Sequence, residues 1–167
     1  MTASPPEMLA FEAALQARPA AALPPGPPLA DRWGEWPTLA VVPGELIEPL
    51  PAGFDEALDH LSRLPRCYAE PDGSFVWTSG RQEPPWQVDG NLFERNGGLL
   101  LVDLKGSCPA AELDQLLACF GPPETPFVFQ LVRSAVFVDA AVFRQHALAR
   151  GQAGDGDRLR PPETCGW

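Results

Sequence analysis

Lysine is almost missing from this chain: there is one, Lys105, among 167 residues. Twelve basic residues face 22 acidic ones, a formal charge of −10. That balance disfavours sequence-independent binding to nucleic acid, which rests on neutralising phosphates with Lys and Arg. Long apolar runs are also missing, so no segment spans a bilayer. No basic segment followed by an apolar run opens the chain, which predicts no secretory leader. The four cysteines, Cys67, Cys108, Cys119 and Cys165, include no C-x-x-C pair, which argues against a zinc centre. Free thiols in a reducing, cytoplasmic setting are the expectation. Neither an internal repeat, a phosphate-cradling glycine motif nor a nucleophile-elbow sequence is present.

What remains is organised around Trp86–Gly106, WQVDGNLFERNGGLLLVDLKG, which reads as a β-hairpin. Successive strand residues point to opposite faces, so the parity of the turn decides which side chains meet. A three-residue loop, Asn96-Gly97-Gly98, sets Leu92 opposite Val102 and Gly90 opposite Leu104, one apolar face. On the other face it sets Asn91 opposite Asp103 and Asp89 opposite Lys105. A slip by one residue would exchange the faces. Two carboxylates held close repel unless a cation lies between them, and hard oxygen ligands suit Mg²⁺. The plain alternative is an exposed cross-strand ion pair on an ordinary sheet.

The same residues resemble the PD-(D/E)xK nuclease superfamily, in which an acid on one hairpin strand is followed by acid, any residue and lysine on the next. Val88-Asp89-Gly90 takes the first part and Asp103-Leu104-Lys105 the second. The resemblance implies Mg²⁺ held by Asp89 and Asp103, with Lys105 beside the hydrolytic water. Asp103 stands where glutamate is commoner, and no proline precedes Asp89. The further helix glutamate often found in that superfamily would be Glu56. It lies nearly opposite the apolar row Phe54, Ala57, Leu58 and Leu61, so it is expected to face water.

Around the hairpin the sequence predicts an α+β domain with a mixed or mostly antiparallel sheet. Ser4-Pro5-Pro6-Glu7 reads as a helix start, followed by Met8, Phe11 and Leu15 at helical spacing. A Pro- and Ala-rich linker follows, so residues 1–30 form an N-terminal helix and arm. Residues 31–150 form the single domain, with its compact part from about residue 51. In it, Trp33 and Trp36 are expected to pack inward. Strands are predicted over Thr38–Val42 and, at an edge, Glu45–Leu50. From residue 51 the expected elements are a helix over Phe54–Leu64, strands Arg66–Glu70 and Ser74–Ser79, and then the hairpin. Next comes a helix capped by Ser107 or Cys108, with Pro109 in its first turn. The strand Phe127–Val132 and its extension Val136–Val138 follow. A helix over Ala140–Arg150, capped by Asp139 and closed by Gly151, ends the domain. This succession is compatible with the helix–three strands–helix–strand core of the nuclease superfamily. Residues 151–167 are expected to be a disordered tail.

Cys108, placed at a helix start, would have a lowered thiol pKa, but His60 and His146 both fall on solvated faces and offer it no base. Two functional classes emerge: a metal-dependent phosphodiesterase or nuclease-like domain, active or degenerate, or a non-catalytic acidic module that binds another protein through its sheet face and tryptophan segment.

Overall fold

Met8–Ala17 (β1) is a strand, not the helix that its spacing predicts. In the computed structural model, which describes residues 6–42 and 44–153, β1 lies inside a seven-stranded sheet whose neighbours all run antiparallel. Leu9, Phe11, Ala13 and Leu15 face the core, and on the other face Ala10 and Ala14 are also buried. A strand shielded on both faces carries apolar residues at consecutive positions, so its pattern mimics a helix. The compact part therefore does not start at residue 51, because β1 is central to it.

From Phe54 the order is α1 (Phe54–Arg63), β4 (Cys67–Ala69), β5 (Ser74–Thr78), β6 (Gln87–Arg95), β7 (Gly98–Pro109), α2 (Ala110–Ala118), β8 (Phe127–Leu131), β9 (Val136–Asp139) and α3 (Ala140–Ala153). The sheet order is β4-β5-β6-β7-β1-β8-β9. A short ribbon, β2 (Leu29–Asp31) with β3 (Gly34–Trp36), stands apart from it. The fold class is α+β with an antiparallel sheet. Between β3 and α1 the expected strands do not form. Leu39 makes single bridges to Pro25 and Phe137, and Glu45–Leu50 is irregular. Prolines at 37, 49 and 51 deny this stretch a continuous ladder.

The hairpin register agrees with expectation, by a different device. Asn96 (φ 53°) and Gly97 (φ 78°) form a two-residue turn with both central residues left-handed. A bulge at Phe93/Glu94 then shifts the pairing, so that Phe93 opposes Leu101 and Glu94 opposes Leu99. The bulge restores the parity that a three-residue loop would have supplied. Leu92 pairs with Val102, Gly90 with Leu104, Asn91 with Asp103 and Asp89 with Lys105.

Core-facing side chains of the sheet, among them Phe75, Trp77, Val88, Leu104 and Phe129, form one cluster with Ala57 and Leu61 of α1, Leu113 and Leu116 of α2, and Phe143 and Ala147 of α3. The Phe143 ring stacks on Phe129 at 4.0 Å. All three helices thus cover one face of the sheet. Strand β7 runs on through Ser107 and Cys108 to Pro109, so neither caps α2; Pro109 takes that place without a side-chain hydrogen bond. Asp139 does cap α3, accepting from the Val142 N–H at 2.9 Å. Helix α3 does not end at Gly151 but continues to Ala153, with Gly151 packed tightly against the Met8 carbonyl. The tail expected from residue 151 lies, beyond Ala153, outside the described residues. Among the described residues, no helix is long and apolar enough to cross a membrane.

Candidate functional site

The face of the sheet away from the helices carries the sequence-predicted residues. Pairing across four ladders aligns Tyr68, Val76, Asp89, Lys105 and Glu12 in one transverse row. The next row runs Ser74, Asn91, Asp103, Ala14 and Gln130. Asp89, Asp103 and Lys105 therefore share a face, and they line a depression of about 350 Å³ together with Glu12, Asn91 and Val132. Glu12 was not legible as a member, because β1 reads as a helix.

Each charged group here has a distinct environment. The Asp89 carboxylate accepts a hydrogen bond from Gln87 Nε2 at 2.8 Å. Glu12 pairs with Arg133, Nε to Oε2 at 3.4 Å. Lys105 lies between Asp89 and Glu12 in the row. Asp103 is exposed by surface area, yet partial desolvation by its neighbours raises its carboxyl above the ordinary 3.8.

As a metal centre the set is thin. Two carboxylates could supply part of an Mg²⁺ shell, with water completing it. Glu56 does not join them: it sits on α1, across the sheet, with its side chain 59% exposed. Among the described residues no group of three or more His, Cys, Asp or Glu side chains is arranged to hold a metal ion. The residues present do not form a metal cage without further ligands.

The cysteine reading fails on geometry. Cys108 belongs to β7 and is fully buried; burial, with Glu112 nearby, pushes its thiol up rather than down. Burial also raises Cys67 to about 11 and Cys119 to about 12. His60 turns its Nδ1 to the Cys119 carbonyl at 3.1 Å.

His146 corrects a second expectation. It is not solvated but 4% exposed, with Nε2 2.8 Å from Asp31 Oδ2. The Trp33 and Trp36 rings meet it edge-on at 5.4 and 5.1 Å. Arg150 lies 4.9 Å over Trp33. Burial opposes ionisation of Asp31, but hydrogen bonds from His146, Trp36 Nε1 and the Trp33 N–H outweigh it and hold its carboxyl below 3.8. This cluster ties the β2–β3 ribbon to α3, as expected for inward-packing tryptophans.

Compared with known proteins, the chain matches no family model, no curated protein and no solved structure.

Proposed function

We propose that this chain is a non-catalytic, acidic binding module that docks a basic protein on the helix-free face of its sheet, in the cytoplasm. The observation that carries the reading is the one-sided placement of the helices. It leaves a paired, rigid sheet surface with apolar and acidic groups side by side. Tyr68 is 75% exposed, and Val76 and Phe93 are also exposed there. Large aromatics on a flat, preorganised surface are the usual anchors of protein interfaces. Asp89 lies beside Val76 in the same row, Asp103 and Glu12 follow on β7 and β1, and the net charge of −10 favours a partner rich in Lys and Arg. Trp33 and Trp36 are engaged with His146 and take no part.

The test is a footprint on a purified partner captured by the full chain. Amide exchange should slow in β5, β6 and β7 on complex formation. Tyr68→Ala and the pair Asp89→Asn with Asp103→Asn should each weaken the complex at least about tenfold, as loss of a buried anchor or charge pair does. Protection confined to the helices, or binding indifferent to these substitutions, would refute the reading.

A metal-dependent, nuclease-like phosphodiesterase is the second reading, favoured by one observation: Asp89, Asp103 and Lys105 emerge on a common face around one depression. It predicts Mg²⁺ or Mn²⁺ binding at millimolar concentration that disappears in Asp89→Ala and Asp103→Ala. Calorimetry without a binding isotherm would remove it.

A further inference from the structure

A second concavity, of about 440 Å³, lies at the end of the sheet where β1 starts, β7 ends and α2 begins. Met8, Pro84, Trp86 and Pro109 form its apolar walls, and Glu7, Glu83 and Glu112 stand around it. Among the described residues, no lysine, arginine or histidine lines it. Glu83 shares an exposed ion pair with Arg66 at 3.7 Å.

Two kinds of group in this cleft lack a complement. Trp86 is 1% exposed, and its indole N–H has no acceptor. A buried donor left without a partner is costly and rare. The first turn of α2 lines the cleft and has no side-chain cap, which leaves backbone N–H donors unsatisfied by side chains. Glu83 has a cation, Arg66, at 3.7 Å, and Glu7 and Glu112 add two further carboxylates to the rim. A simple anion would meet the donors but be repelled by the glutamates; a simple cation would do the reverse. An extended peptide bearing arginine or lysine supplies carbonyl acceptors, a positive head and an aliphatic stem together.

We infer that the Trp86 cleft is a binding site for a basic peptide segment, its carbonyls turned to α2 and the Trp86 side of the cleft and its cationic side chain to Glu7, Glu83 and Glu112. The inference rests on the reading that the partner is a basic protein, and adds a second contact at the end of the sheet. The occupant is a segment of that partner, since the lining is wholly acidic and apolar.

The experiment titrates isotopically labelled full-length chain with the blocked tripeptide acetyl-Gly-Arg-Gly-amide, following backbone and indole N–H resonances. The Trp86 signal is assigned by Trp86→Phe. The peptide should move Trp86 and the amides of Ala110, Ala111 and Glu112. The neutral isostere with citrulline for arginine should bind about tenfold more weakly, and the combination Glu83→Gln with Glu112→Gln should cause a similar loss, as for removing a charge-assisted partner. No shift at about 10 mM peptide, weaker than any useful affinity, or equal binding of the citrulline form, would overturn the inference. Binding seen only after deletion of residues 1–5 would assign the cleft to the chain itself and overturn it too. Asp89→Asn and Asp103→Asn should leave tripeptide binding unchanged. Failure here with an intact sheet-face footprint therefore condemns the cleft alone.

Discussion

Gly90 is the position where the hairpin has least room. It pairs with Phe75 on one side and Leu104 on the other. A Cβ added there would overlap three atoms of the Phe75 ring, the farthest, Cε2, at 2.8 Å. Phe75 is itself 2% exposed, so the ring has nowhere to swing without displacing other core residues. Forcing an extra carbon into a packed core costs about 1–3 kcal/mol. Gly90 is not in the left-handed region, so alanine also recovers roughly 0.4–1 kcal/mol from the unfolded state. Gly90→Ala should therefore destabilise the protein by about 1–2 kcal/mol, the overpacking cost outweighing the entropic gain. Urea unfolding with an unchanged slope measures this. The double-mutant cycle with Phe75→Leu isolates the cause: removing the ring should make alanine neutral or favourable at 90, a coupling of at least about 0.5 kcal/mol. Wild-type stability in Gly90→Ala, or strictly additive effects, would refute the close approach of the ring.

Asp103 has a raised carboxyl pKa, so its ionised form is disfavoured in the folded state. Asp103→Asn should therefore exceed wild type in stability at pH 7, with the gap closing as pH falls through the raised folded value towards 3.8; urea midpoints across that range check it. Asp31 has the opposite sign: its contribution is present above 3.8 and lost as pH falls through its lower folded value. Asp31→Asn should be destabilised at neutral pH by a margin that shrinks below 3.8, read by the same titration. The raised thiols predict that Cys67, Cys108 and Cys119 resist iodoacetamide at pH 8 in the folded protein and react after unfolding, as mapped by mass spectrometry.

The parts of the fold written in local chemistry were the readable ones. Asn96-Gly97 between alternating strands announced the hairpin, and the need for one apolar face selected its register even though the turn and bulge that deliver it differ from the loop expected. Asp139 before an apolar helix announced its own cap. Strand β1 was unreadable because its identity depends on what lies on each side. Met8 pairs with Pro109 and Ala17 with Phe127, and no nearby residue specifies either contact. The same gap hid Glu12 as a neighbour of the acid–lysine cluster, whose own three members followed from parity alone. His146 sits among basic residues in the sequence, so it reads as solvated; its partner Asp31 and the two tryptophans come from the opposite end of the chain.

Strand β1 joins two otherwise separate blocks, β4–β7 and β8–β9, and touches both along its length. During synthesis this segment emerges long before either neighbour exists, and it must wait, apolar on both sides, until the remainder of the chain has been made. Its capture is then a late docking step rather than a zipping of adjacent strands. A nascent chain halted before residue 98 would hold an unclaimed sticky ribbon, making premature termination an aggregation hazard specific to this topology.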